Sequence, residues 1–243
     1  MSPADSGTED TLDLKLPPEV IALLTAPPPG PGSPPGPPGP SGASVPTGQW
    51  GRPADLLDHV GDWPAVETPV GPFRLVPVRP ERDLALVSGW MNDPAVAEFW
   101  KLAGPRSVTE DHLRIQLTGD GRSVPCLGVL GGAPMSYWEI YRADLDPIAR
   151  HYAALPQDTG VHLLIGGVTD RARGLGSELL RAVSALVLDN RPACARVVAE
   201  PDLRNVPSVS AFLSAGFRLS AEIDLPDKRA ALMVRDRALR HLL

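Results

Sequence analysis

The stretch from His162 to Gly176 restricts the possible folds more than any other part of this chain. It runs His162-Leu-Leu-Ile-Gly-Gly-Val-Thr-Asp-Arg171-Ala-Arg-Gly174-Leu-Gly176 and leads into a run with apolar residues at helical spacing. The pattern predicts a strand, a glycine-rich turn and a helix start. The first N–H groups of a helix have no partner within it, and the macrodipole makes that end positive. Glycines let an anion approach closely, so the turn forms a cradle for a pyrophosphate. The spacing is not Gly-x-Gly-x-x-Gly, and no Lys-Ser/Thr pair follows as in a P-loop.

The elements around this turn predict a mixed sheet with helices. Phe73–Arg79 reads as an edge strand marked by Pro77. Pro80–Trp90, Ala95–Leu102 and Thr109–Leu117 read as helices, the last with Thr109 as N-cap. Val124–Leu130 and Met135–Tyr141 form a hairpin through Gly131-Gly132. Asp146–Ala154 is a short helix or turn, and Val161–Ile165 a strand with His162 and Leu164 on one face. Residues 174–188 are helical. Arg196–Ala199 is a strand, Pro207–Ala215 a helix closed by Gly216, and Phe217–Leu225 with Ala230–Val234 a final hairpin.

Residues 1–50 differ from the rest. They hold 13 of the 29 prolines, and no residue between Ala26 and Trp50 is charged. Such a segment buries too little apolar surface to offset its ordering entropy, so a disordered Pro/Gly-rich arm is expected, one that could recruit a partner. Residues 51–70 are then a lead-in and 71–243 the folded domain. The net charge of −6 argues against a nucleic-acid surface as the main partner. Cys126 and Cys194 have neither metal-ligand nor disulfide-framework spacing. No secretion signal or membrane span is visible, so a cytoplasmic protein without membrane attachment is expected.

Arg171-x-x-Gly174-x-Gly176 in this setting resembles the coenzyme A loop of the GNAT acyltransferases. The order of elements matches as well. Trp90-Met-Asn-Asp-Pro94, Tyr137-Trp-Glu-Ile-Tyr141, Asp158-Thr-Gly-Val-His162, Glu200-Pro-Asp202-Leu-Arg-Asn205 and Leu225-Pro-Asp-Lys228 follow at consistent spacing over roughly residues 71–237. Together they resemble the siderophore-biosynthesis branch, which acylates hydroxylated lysine, ornithine or diamine side chains to hydroxamates. The resemblance implies an α+β (α/β) GNAT fold, with a mixed central sheet, two splayed strands and flanking helices. It also implies an acetyl-CoA or other acyl-CoA co-substrate, and the residues show no constellation that leads one to expect a metal.

By the same resemblance His162 is the general base; a near-neutral pKa suits it to take a proton from an amine or hydroxylamine. Asp202 is catalytic, orienting the histidine or binding the cationic end of the substrate, with Glu200 as the alternative acid. Arg171, Arg173, Gly174, Leu175 and Gly176 hold the coenzyme phosphates, and Asn205 holds the pantetheine arm. A backbone N–H near Leu164 or Ile165 forms the oxyanion hole. Asn92, Phe99, Trp100, Trp138, Glu139, Tyr141 and Lys228 are candidates for the acceptor pocket; Glu139 and Lys228 supply both signs of charge for a zwitterionic amino acid. Many relatives place a tyrosine where this chain has Phe212, which leaves the general acid unassigned. No cysteine or serine stands out as a nucleophile, so direct transfer in a ternary complex is expected. Two alternatives stay open: another amine acceptor, such as a protein N-terminus or an aminoglycoside, and an acyl-CoA-binding module without catalysis.

Overall fold

The computed structural model describes Leu57 and residues 59–241. The Pro/Gly-rich stretch expected at residues 1–50 lies outside the described residues. Among those described, eight strands form one sheet in the order β1-β2-β3-β4-β5-β6-β8-β7. The strands are β1 Val66–Thr68, β2 Gly71–Pro77, β3 Ser123–Leu130, β4 Ala133–Arg142, β5 Thr159–Ile165, β6 Arg196–Ala199, β7 Arg218–Asp224 and β8 Arg229–Asp236. The helices are α1 Pro80–Met91, α2 Pro94–Trp100, α3 Arg106–Leu117, α4 Leu175–Asn190 and α5 Val206–Ser214. No helix among the described residues is long and apolar enough to cross a membrane.

Local chemistry sets the element ends. Pro80 opens α1, and the Arg79 N–H donates to the Asp83 carboxylate 2.8 Å away. Asp93 caps α2 by accepting the Ala95 N–H at 3.0 Å. Gly131 and Gly132 take φ values of 56° and 86°, which only a residue without Cβ adopts in succession at low cost. The third helix begins at Arg106, three residues before the expected Thr109, after Pro105. Thr109 is buried within it, and its hydroxyl has no protein partner.

The expected edge strand is not at the edge. The three residues of β1, inside the lead-in, pair with Gly71–Phe73 and cover its first half. Pro77 lies past the end of β1 and faces Cys126 of β3, so its missing N–H costs no ladder bond on the outer side. The expected helix or turn at Asp146–Ala154 is a 3-10 turn over Pro147–Arg150.

Among the described strands only β5 and β6 run parallel. They pair at Thr159 with Val197 and at Gly160 with Val198, and β5 then continues alone to Ile165. On its other side β5 pairs with β4 along its whole length, with His162 opposite Glu139. The Gly166 N–H bonds the Met135 carbonyl, and the Ala143 N–H bonds the Asp158 carbonyl. Antiparallel pairing alternates, so even-numbered β5 residues direct their backbone groups to β4 and odd-numbered ones into the gap.

Side-chain alternation divides the core between the two faces of the sheet. Trp138, Ile140 and Val161 pack with Leu179, Val183 and Phe212 of α4 and α5. Tyr137 and Leu164 pack on the other face with Val87, Met91 and Leu113 of α1 and α3. His162 and Glu139 share this second face, where α2 and α3 leave the centre of the sheet open.

Candidate active site

His162 sits at the mouth of the β5/β6 gap with its ring held between two carboxylates. Its Nδ1 lies 2.9 Å from Glu139 Oε2 of β4. Its Nε2 lies 2.5 Å from Glu200 Oε1, just after β6. The ring of Tyr141 is 4.8 Å from the imidazole, centroid to centroid, and its hydroxyl donates to Glu200 Oε2 at 2.7 Å. A side chain on Gly160 would collide with that Tyr141 ring, so the glycine admits the tyrosine. Trp100, at the end of α2, meets the imidazole edge-on at 6.1 Å.

Glu139 is buried and gathers four partners. Besides His162, its Oε1 accepts from His112 Nε2 at 2.6 Å, Gln116 Nε2 at 2.7 Å and the Tyr137 hydroxyl at 2.9 Å. Burial pushes this carboxyl up, but the hydrogen bonds and charges of the two histidines outweigh it and hold it well below the usual carboxylate range. Glu200 is likewise buried, and His162, Lys228 and Tyr141 hold it down at about 2. Burial pushes the imidazole down as well. The charges of Glu200 and Glu139 and their hydrogen bonds dominate, and His162 stands at about 10. The ring is therefore an imidazolium at neutral pH, and the site holds a positive donor and an anionic acceptor side by side.

The expected catalytic pair is thus differently composed. Asp202 lies on the wall of the same cavity, but its carboxylate is bound to the Arg204 guanidinium at 2.7 Å and to the Arg204 N–H at 2.8 Å. The acid against the histidine is Glu200. Lys228 also faces this row, its Nζ 3.9 Å from Glu200 Oε1. Two acceptor-pocket expectations are corrected. Trp138 is fully buried on the opposite face of the sheet, where it packs on Phe73 and donates to Ser136 Oγ at 2.9 Å. Asn92 ties the end of α1 to the next loop, its amide bonding Ser88 O, Gly104 O and Gly104 N. Glu139 and Tyr141 do stand at the site.

Two cavities share residues of this row, and a groove adjoins the first of them. The central one, about 360 Å³, runs along Val161, Leu163 and Ala199 at the gap and includes His112, Glu139, His162, Glu200 and Lys228. A groove of about 680 Å³ continues from it past Leu163 and Asn205 to the glycine loop. The second cavity, about 250 Å³, lies beyond Glu139 and His162 toward Arg122 and Asp146.

The groove is the place for a long anionic ligand, and the loop fits one. Leu164, Ile165, Arg171, Gly174, Leu175, Gly176 and Asn205 all line it. Gly174 has φ 76° and precedes the first turn of α4, whose residues Leu175, Gly176 and Ser177 line the groove. The Arg171 guanidinium is drawn inward: it donates to Asp93 at 2.7 Å and to the carbonyls of Ile165 and Gly166 at 3.1 and 2.9 Å. It braces the loop on the N-cap of α2. Arg173 is outside the groove lining, 65% exposed and 3.9 Å from Asp170. The side-chain oxygen of Asn205 caps α5 by accepting the Ser208 N–H at 3.1 Å. Strand parity directs the N–H of Leu163 and Ile165, rather than that of Leu164, into the gap.

His112 and Gln116 were not anticipated from the sequence. They stand one helical turn apart on α3 and reach a carboxylate on β4. The available signal was that pair of polar residues at i and i+4 beside the buried Leu113.

Known proteins resemble this chain. The family described as "Acetyltransferase (GNAT) domain" matches residues 79–225. The lysine N-acyltransferase MbtK of Mycobacterium sp. (strain MCS) is 37% identical over 179 residues, covering 73% of this chain and 73% of its own. The N(6)-hydroxylysine O-acetyltransferase of Escherichia coli is 37% identical, covering 65% of this chain and half of its own. Among solved structures, that of AAC(6')-Ib in complex with ribostamycin and coenzyme A superposes with a TM-score of 0.60. It is 26% identical over 68% of this chain and 93% of its own.

Proposed function

The chain belongs to the GNAT acetyltransferase family, and from that premise we propose an acyl-CoA-dependent N-acyltransferase of siderophore biosynthesis, acting in the cytoplasm. Its acceptor is the N-hydroxylated side-chain amine of an amino acid such as lysine, and its product is a hydroxamate. The observation that carries this reading is the Glu139–His162–Glu200 row at the mouth of the β5/β6 gap, at the end of a groove that starts at the glycine loop. The names of the relatives give the acceptor class.

Coenzyme A supplies a thioester, whose carbonyl carbon is the electrophile. Its phosphates fit the start of α4, and its acyl end reaches the gap between Val161 and Ala199. The N–H groups of Leu163 and Ile165 point where the carbonyl oxygen gains charge. As the acceptor nitrogen forms the C–N bond, the C–S bond breaks. Glu200, the anionic partner of the pair, takes the proton from nitrogen in place of His162, the base expected from the resemblance, because the ring is already charged. His162, already charged, gives a proton to the departing thiolate, and Glu200 returns one to the ring. This pair fills the acid role that Phe212 cannot, because Phe212 is buried against Phe217 and carries no hydroxyl. Transfer is direct, since Cys126 and Cys194 are buried away from the cavity linings and burial raises both thiols.

The test is thiol release from acetyl-CoA with N6-hydroxylysine, N5-hydroxyornithine, N-hydroxycadaverine and lysine, beside an aminoglycoside. Turnover with the hydroxylated amines is expected. Turnover with the aminoglycoside alone, or acyl-CoA binding without turnover on any amine, overturns the assignment.

A further inference from the structure

We propose that the 250 Å³ cavity beyond the Glu139–His162 pair holds the head of an α-amino acid acceptor, with Arg122 facing its carboxylate and Asp146 its ammonium. This rests on the acyl-transfer reading above and adds where the acceptor lies.

The cavity shares His112, Glu139 and His162 with the central one, so its inner end is the reacting row itself. Its outer end carries charges of opposite sign on different elements. Arg122 precedes β3, is about half exposed, and bonds Asp120 at 2.5 Å. Asp146 opens the 3-10 turn after β4, and its Oδ1 accepts the Ile148 N–H at 3.0 Å. Burial and the nearby carboxylates Glu200 and Glu139 raise the Asp146 carboxyl, so a cation beside it would relieve that repulsion. An α-amino acid head is the small group that presents a carboxylate and an ammonium together.

Strand register sets the length. Ser123 pairs with Tyr141, two residues along β4 from Glu139, which itself pairs with His162. Ser123 is therefore two strands across and two residues along from His162, roughly 12 Å between Cα atoms. An extended lysyl chain places its nitrogen about 6 Å from its Cα. A hydroxylysine with its nitrogen at the row therefore leaves its charged head inside the cavity, and the long Arg122 side chain spans the remaining distance. Lys228 lines the central cavity beside Glu200 and is absent from the lining of this one, so it does not face the proposed head.

The experiment uses the full chain with Arg122→Gln and Asp146→Asn, each close in shape to the original; asparagine keeps the oxygen that caps the turn. Three acceptors are compared: N6-hydroxylysine, N-hydroxycadaverine (no carboxylate) and 6-(hydroxyamino)hexanoate (no ammonium). Arg122→Gln should raise KM on the order of tenfold for hydroxylysine and for the hexanoate, and leave hydroxycadaverine within about twofold. Asp146→Asn should raise it for hydroxylysine and hydroxycadaverine and spare the hexanoate. Equal effects on all three acceptors, or none on hydroxylysine while the wild type is active, overturn the subsite and leave the acyl-transfer reading intact. A wild type inactive on all three overturns both.

Discussion

The glycine loop and the Glu139–His162–Glu200 row bound one cleft but are built in opposite ways. The loop is contiguous chain whose useful groups belong to the backbone, shaped by positive φ at Ala172 and Gly174 and braced by Arg171 on Asp93. The row is made of side chains 23 and 38 residues apart, from β4, β5 and the end of β6. An anion held by main-chain N–H groups tolerates new side chains but not a new backbone. Proton chemistry held by three side chains tolerates the reverse. The two regions should therefore fail differently.

The largest effect belongs to the row. His162→Ala and Glu200→Gln should each lower kcat by on the order of 10²–10⁴, while acyl-CoA affinity, followed by calorimetry, stays near wild type. Weakened coenzyme binding in both variants would erase the division. Next comes the effect of pH on stability. The folded state raises His162 from 6.5 to about 10, so its stabilisation is complete below about 6.5 and is lost as pH rises toward 10. Glu200 has the opposite sign: it is lowered from 4.5 to about 2, and its contribution disappears as pH falls through that interval. The stability difference between wild type and His162→Gln, measured by denaturant, should be widest between these ranges, near pH 5–6, and narrow up to pH 9.5. A difference that does not vary with pH would mean that folding leaves the pKa of the ring unshifted.

The loop should show smaller effects on a different quantity. Gly174→Ala imposes a Cβ at φ 76°, which costs about 1–2 kcal/mol. It should raise KM for acyl-CoA roughly tenfold and change kcat little; a fall in kcat at saturating acyl-CoA would tie the loop to the chemistry. Arg173→Ala is the smallest. An exposed charge near a helix N-terminus is worth about 0.3–1 kcal/mol toward an anion, so KM for acyl-CoA should rise roughly twofold to fivefold at low salt. That rise should shrink at high salt, and a salt-independent rise would rule out the electrostatic role.

The same contrast explains what the sequence reveals. The turn before Gly176 and the helix after it are local, and glycine spacing with helical periodicity exposes them. The hairpin through Gly131-Gly132 is equally local. The partners of His162 depend on strand register and on α3 packing, which no local spacing encodes. Glu200 and Asp202 flank Pro201 and look equivalent in one dimension. Arg204, two residues later, captures Asp202 and leaves Glu200 for the histidine. Alternation separates Trp138 from Glu139 correctly, but which face opens to the cleft depends on the short helix α2. Strand β1, three residues long, carries too little pattern to be seen, so β2 reads as an edge.

The sheet is also two antiparallel halves, β1–β5 and β6–β8, stitched by the two residue pairs between β5 and β6. Each half is held by its own consecutive hairpins or neighbours, and α4 and α5 back the seam from behind. Widening the cleft therefore strains very few ladder bonds and leaves both halves intact. An acyl chain lying along β5 beyond Gly160 would meet open strand edges rather than a continuous ladder.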